Sequence, residues 1–280
     1  AEIDRRVEEK VLQGVDVINF GIGDPDLPTP PHIVERLCEE CRRPENHRYP
    51  SYRGMDRFRE AAAGWFQERF GVSLDPAREV LALIGSKEGI AHLPLAFLDA
   101  GDTALVPDPG YPVYRNATIL CGGRPVSLPL REDRGYLPDL GALDASLLDR
   151  ARLLFVNYPN NPTAAVADAA FFEELVYYAR KHDVIVAHDN AYCEITYDGY
   201  RSPSLLEVKG ARDVSLEFHS LSKTYNMTGW RVGFAVGGEK IISALGQVKT
   251  NVDSGVFNAV QLAAVAALEG PQDCVRENCE

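Results

Sequence analysis

Val214-Ser215-Leu216-Glu217-Phe218-His219-Ser220-Leu221-Ser222-Lys223, continued by Gly229-Trp230-Arg231-Val232-Gly233, is the stretch that decides the fold. Residues 214–219 alternate β-branched or aromatic residues with others and read as a strand, and residues 232–236 read as another. The turn between them carries two hydroxyls, then Lys223, with Arg231 eight residues further on. A lysine on such a turn is held by its backbone while its ammonium reaches into a cleft. Short hydroxyl donors and a planar guanidinium fork are what a phosphate monoester requires. The plainer alternative is a solvated lysine beside a structural arginine, since most lysines are exposed. A lysine beside a phosphate site otherwise suggests a Schiff-base lysine holding pyridoxal phosphate.

Outward from this stretch, helical patterns alternate with short apolar runs. Residues 33–40, 55–70, 88–98, 169–181 and 240–248 read as helices. Residues 80–83, 104–106, 153–157, 184–188, 214–219 and 233–236 read as strands. Short apolar strands separated by helices imply an α/β fold, with a mostly parallel central sheet and helices on both faces. Ligands of such sheets sit at the C-terminal strand ends, where residues 157–161, Asp189 and Lys223 fall.

The composition bounds the function. The chain has 280 residues, 45% of them hydrophobic, enough for one large domain and part of a smaller C-terminal one. Lys and Arg number 29 against 41 Asp and Glu, a net charge of −12, which argues against nucleic acid or an anionic membrane as partner. Six scattered cysteines (Cys38, Cys41, Cys121, Cys193, Cys274, Cys279) read as free thiols in a reducing cytoplasm. Cys38-x-x-Cys41 falls in a helical pattern without a second metal pair, so no metal is expected. No signal-peptide pattern, transmembrane run, internal repeat or low-complexity segment is read.

Ser-x-Ser-Lys with Gly-x-Arg-x-Gly at this spacing resembles the cofactor-lysine signature of class I/II aminotransferases, the fold-type I pyridoxal-phosphate enzymes. Three further segments match in order. Asn160-Asn161-Pro162-Thr163 resembles the family's Asn-Pro-Thr-Gly turn, Asp189-Asn190-Ala191-Tyr192 its Asp-x-x-Tyr, and Pro109-Gly110-Tyr111-Pro112-Val113-Tyr114 its aromatic stacking segment. The resemblance runs from about residue 18 to about residue 268. It implies pyridoxal 5′-phosphate as cofactor, Lys223, Asp189 and Tyr192 as catalytic residues, and a cytoplasmic homodimer.

Each match has a physical reason. Asp189 ends the apolar run of residues 184–187, where its carboxylate can pair with a protonated pyridine nitrogen and raise that nitrogen's pKa. The alternative for Asp189 is a helix N-cap. Tyr192 and Asn161 would hydrogen-bond the cofactor's phenolic oxygen; Asn161 also reads as a turn residue before proline. Gly85-Ser86-Lys87 follows a strand and opens a helical pattern, an anion site if its N–H groups are free and an ordinary helix cap otherwise. The resemblance places Ser86 and Lys87, with Ser220, Ser222 and Arg231, around the phosphate. It also sets Tyr111 on the pyridine ring, where an aromatic face adds roughly 0.5–1.5 kcal/mol; a core tyrosine between prolines is the other reading. Tyr49 matches the tyrosine that reaches the partner subunit's phosphate, which would build each active site only in a dimer.

Within the family, residues 19–26, 47–52, 155–162, 217–231 and 249–257 are together most similar to LL-diaminopimelate aminotransferases. Those enzymes move an amino group between glutamate/2-oxoglutarate and the tetrahydrodipicolinate/LL-diaminopimelate pair of lysine biosynthesis. Ile22 and Gly23 would then flank the substrate carboxylate, with Ser254 near the substrate. Residues 1–24 would belong with the small domain, 25–268 would form the cofactor-binding domain, and 269–280 would start the connecting helix. Aminotransferases of aspartate, alanine or aromatic amino acids, and lyases, share the same core. So do non-enzymatic cofactor-binding effector domains, which carry a DNA-binding module and basic patch not read here. Two departures stand out. Ala164 replaces the usual glycine after Asn-Pro-Thr, which asks for a backbone angle an alanine can adopt. No arginine fits the family's substrate-carboxylate clamp, which is expected beyond Glu280 in chains of about four hundred residues.

Overall fold

The computed structural model describes residues 2–18 and 23–280. In chain order the elements are α1 (Glu2–Leu12), α2 (Pro31–Cys41), α3 (Asp56–Phe70), β1 (Val80–Leu83), α4 (Ser86–Phe97), β2 (Thr103–Asp108), α5 (Pro112–Leu120), β3 (Arg124–Pro129), α6 (Ala145–Leu148) and β4 (Ala151–Val156). There follow α7 (Ala169–His182), β5 (Ile185–Asp189), β6 (Ser215–Ser220), α8 (Leu221–Thr224), β7 (Gly233–Gly237), α9 (Glu239–Val252), α10 (Asn258–Glu269) and α11 (Asp273–Glu277).

The strands form one sheet in the order β1-β7-β6-β5-β4-β2-β3. Among the described residues only β7 runs against the others, pairing antiparallel with both β1 and β6. The expected mostly parallel sheet is therefore present. The central strands are buried on both faces by two separate cores, and β5 and β6 also carry buried polar residues, His188, Glu217 and His219 among them. One core joins Phe58, Phe66, Phe171, Phe172 and Ala263 of α3, α7 and α10. The other joins Ile90, Leu93, Tyr114, Ile242 and Leu245 of α4, α5 and α9. Burying each such side chain contributes about 1.5–3 kcal/mol. The ends of α7 illustrate local determination: the Asp168 side chain accepts from Phe171 N (2.9 Å) at its start, and three basic residues fill its last turn.

Strand direction decides where a site can lie. The C-terminal ends of β1, β4, β5 and β6 and the N-terminal end of β7 all reach the same edge of the sheet, with Leu83 opposite Gly233 and Gly233 opposite Ser220. At or just beyond that edge stand Ser86, Asn161, Asp189, Lys223 and Arg231. Lys223 sits in the single turn α8 rather than in an open loop between strands. Residues 269–280 hold the end of α10, a Gly270-Pro271 break and the short α11.

Candidate active site

A cavity of about 370 Å³ opens at this edge. It brings together Gly23, Ser86, Tyr111, Asn161, Asp189, Tyr192, Ser220, Ser222, Lys223 and Arg231 of the expected set, joined by Asp24, Asn157 and Thr228. Lys87, Tyr49 and Ser254 do not line it. Lys87 is exposed, its Nζ 6.0 Å from the centre of the Tyr111 ring. Tyr49 is 88% exposed, and Ser254 is exposed as well. Ile22 lies outside the described residues.

On one side of the cavity lie cationic and hydroxyl groups. Ser220 caps α8, its Oγ accepting from Ser222 N (3.2 Å), which fixes the turn that carries Lys223. The Lys223 ammonium is half-buried and donates to the Gly23 carbonyl. Burial and the nearby Arg231 hold its pKa below the ordinary lysine value against the opposing pull of Asp24. Arg231 stands in the left-handed region (φ +55°), and its Nη1 donates to Thr228 O at 2.7 Å. Gly85 precedes α4 with φ +72°, and a Cβ there would collide with the Arg231 guanidinium. No side chain caps α4, so its first N–H groups and dipole are open to an anion.

The opposite side is a carboxylate floor. Asp189 is buried at the end of β5. Its Oδ2 accepts from the Tyr114 hydroxyl at 2.8 Å, whereas buried Oδ1 has no partner among the described residues. Burial drives the Asp189 pKa up to about 6, although Tyr114 and His188 pull it down. Burial, followed by the charge of Asp189, raises the Tyr192 pKa, against the opposing pull of the neighbouring Asn161 side chain. Tyr111 meets Tyr114 edge to face, with ring centres 5.8 Å apart.

Two organising residues carry no role in the sequence reading. Tyr114 stacks on Phe155 (5.1 Å, 17°) and delivers its hydroxyl to Asp189, so one turn of α5 supplies both Tyr111 and Tyr114. The spacing i, i+3 was the available signal. Buried Asn157 donates from Nδ2 to the Asp189 carbonyl (2.7 Å) and accepts at Oδ1 from Asn161 N (2.7 Å). It thereby ties the ends of β4 and β5 to the Asn161 turn. In that turn Ala164 takes φ +59°, so the angle it adopts is the left-handed one, costing an alanine about 1 kcal/mol relative to glycine.

Elsewhere, Glu88, His92 and Asp253 place metal-type ligand atoms within 4.8 Å of one another. Fully buried Lys249 already supplies the positive charge there, at 3.1 Å from Glu88 and 2.8 Å from Asp253. All six cysteines are unpaired. Among the described residues no helix is long and apolar enough to cross a membrane.

Comparison with known proteins points the same way. The family model described as aminotransferase class I and II matches residues 15–280. The chain is 59% identical over 280 residues to the LL-diaminopimelate aminotransferase of Desulforudis audaxviator (strain MP104C), covering all of this chain and 71% of that protein. It is 54% identical over 277 residues to that of Aquifex aeolicus (strain VF5), covering 99% and 72%. Among solved structures, substrate-bound BacF from Bacillus subtilis superposes with a TM-score of 0.95 at 42% identity, over 100% of this chain and 71% of that one. A probable N-succinyldiaminopimelate aminotransferase from Thermus thermophilus gives a TM-score of 0.94 at 41% identity, over 99% and 74%.

Proposed function

The chain belongs to the class I and II aminotransferases, and from that premise we propose that it is a pyridoxal-phosphate enzyme exchanging an amino group between LL-diaminopimelate and 2-oxoglutarate. The substrate pair rests on relatives named LL-diaminopimelate aminotransferase at 53–59% identity. The cofactor rests on one observation above all. A half-buried lysine amine and a buried carboxylate oxygen without a partner among the described residues line a single cavity, beside an uncapped helix N-terminus.

Pyridoxal phosphate, when bound, supplies a carbonyl for covalent capture of an amine and an electron sink for the bond broken at the substrate Cα. The chain's own groups do the rest. Ser86, Ser220, Ser222, Arg231 and the open N–H groups of α4 offer a matched donor set for a phosphate dianion. Asp189 Oδ1 would accept a hydrogen bond from a protonated ring nitrogen, which would satisfy the orphaned oxygen of the floor. Tyr111 would cover a ring face, and Tyr192 with Asn161 would offer donors to a phenolic oxygen. Lys223 would hold the cofactor before substrate arrives. Its lowered pKa favours the neutral amine that takes a proton from Cα and returns it.

Residues 25–268 form the cofactor-binding unit on this reading. Tyr49 and Ser254 belong to a homodimer interface rather than to one chain's cavity. Gly255 packs against Pro50 and Ser51, and Tyr49, Tyr52, Val252 and Phe257, in the two segments this contact joins, are exposed. The unpaired cysteines fit a cytoplasmic enzyme.

Lys223→Ala tests the reading. The purified full-length variant should lose both the visible absorbance of the covalently held cofactor and turnover with LL-diaminopimelate. Transamination at a near wild-type rate would remove Lys223 from its role. Wild-type turnover of another amino acid in preference to LL-diaminopimelate would overturn the substrate alone.

A further inference from the structure

His188 immediately precedes Asp189 on β5 and is fully buried. Its ring faces two oxygens: Nδ1 lies 2.7 Å from Glu217 Oε1, and Nε2 lies 3.1 Å from the Tyr158 carbonyl oxygen. A carbonyl can only accept, and so can an ionised carboxylate. Glu217 is ionised, because its two oxygens also collect Leu205 N (2.6 Å), Ser204 Oγ (2.9 Å) and His219 Nε2 (3.1 Å). A neutral imidazole has one N–H and one bare lone pair, so it would set that lone pair against an oxygen. Only the imidazolium satisfies both contacts. His219 differs: its Nδ1 faces the Cys193 thiol at 3.9 Å, a group able to donate, so that ring needs one proton only.

We propose that His188 is a positioning residue carrying a fixed buried positive charge, locked by Glu217 and the Tyr158 carbonyl, that keeps neighbouring Asp189 ionised. Register explains the arrangement: His188 pairs with Glu217 across β5 and β6, while Asp189 projects to the cavity one residue later. The groups around this pair are Phe172 from α7, ring centre 5.0 Å from His188, then His219 and Ser204, and on the cavity side Tyr114, Tyr111 and Tyr192. Of these only His188 brings a positive charge against the floor. The cations Lys223 and Arg231 line the same cavity but belong to its phosphate side. Burial alone would favour the neutral acid, which cannot hold a proton on a ring nitrogen; a positive charge behind the floor opposes that shift.

The use of this charge rests on the cofactor reading, but its existence does not. In cofactor-free full-length protein with ¹⁵N-labelled histidine, His188 should show both ring nitrogens protonated at pH 7–8; one bare nitrogen overturns the proposal. In cofactor-free full-length protein, the Asp189 carboxyl should titrate near 6 by ¹³C NMR. His188→Gln should raise that midpoint by about one pH unit or more, whereas Phe172→Leu, which removes packing but no charge, should leave it in place. An unmoved midpoint in His188→Gln overturns the proposal. If that variant does not fold, the wild-type nitrogen measurement decides by itself. Neither measurement depends on Lys223, so failure here and failure of the cofactor reading are separate results.

Discussion

Asp189 and Glu217 are both buried carboxylates on neighbouring strands, yet they are built in opposite ways. Glu217 receives four hydrogen bonds, and although burial pushes its carboxyl up, His188 and His219 outweigh that and hold it well below the usual range. Asp189 receives one from Tyr114, leaves Oδ1 without a partner among the described residues, and is pushed up to about 6. The layer behind the floor is satisfied and structural, while the floor itself is left incomplete. Incomplete satisfaction in a buried site costs stability, and it is tolerated where a ligand completes it.

The comparison breaks most visibly at Glu217. Glu217→Gln leaves the His188 charge buried without its counterion and should lower the unfolding free energy by about 3–5 kcal/mol, read from urea denaturation. The residual activity per folded molecule should fall far less than the stability does. Asp189→Asn is the mirror image. It should reduce kcat by roughly 10²–10³-fold, about 3–4 kcal/mol, through loss of the charge proposed to face the cofactor ring. The cofactor-free variant should unfold no more easily than wild type. A large stability loss with kcat preserved would reverse the assignment of the two carboxylates.

Their pH dependences should oppose each other as well. Asp189 has a raised acid pKa, so its stabilising contribution is present below an ordinary 3.8 and is lost as pH rises through about 6. That interval corresponds to roughly 3 kcal/mol in the cofactor-free protein. Glu217 is depressed, so its contribution is present above 4.5 and is lost as pH falls below that. Cofactor-free Asp189→Asn should therefore gain on wild type progressively between pH 4 and 6, then run parallel to it. A constant difference across that range would show that Asp189 is not raised.

The same contrast marks what could be read from sequence. Asp189, Tyr192, Asn161, Lys223 and Arg231 stand in short motifs, and strand direction then gathers their loops at one edge. The sheet was legible because β1, β7 and most of β4 and β5 are short apolar runs, while β6 alternates apolar with polar residues. Three kinds of element were not. β3 carries Pro125 and Pro129 and lies at the sheet edge, where a strand pattern fades. α1 carries Ile3, Val7 and Val11 at helical spacing, but this short stripe stands among charged residues and the helix buries no residue. α10 is apolar on nearly every face, which removes the periodicity that marks a helix. The His188–Glu217 pair joins residues 29 apart, and only the register of β5 with β6 reveals it.

The smallest expected effect lies at Tyr114, and it separates the two carboxylates most finely. Tyr114→Phe keeps the ring stacked on Phe155 and removes only the hydroxyl that serves Asp189 Oδ2. A hydrogen bond to a charged group is worth about 1.5–3 kcal/mol. On the proposed reading bound cofactor would still satisfy Oδ1, so the low end applies, roughly a tenfold fall in kcat with little change in KM. Because the lost donor favoured the anion, the Asp189 midpoint should move further above 6, and the acid limb of the pH–rate profile should move up with it. Ser204→Ala is the matching deletion on Glu217, removing one donor of four. It should lower stability by about 1 kcal/mol and leave the acid limb where it is. If both variants shift that limb alike, the two carboxylates act as one network, and the division between floor and supporting layer fails.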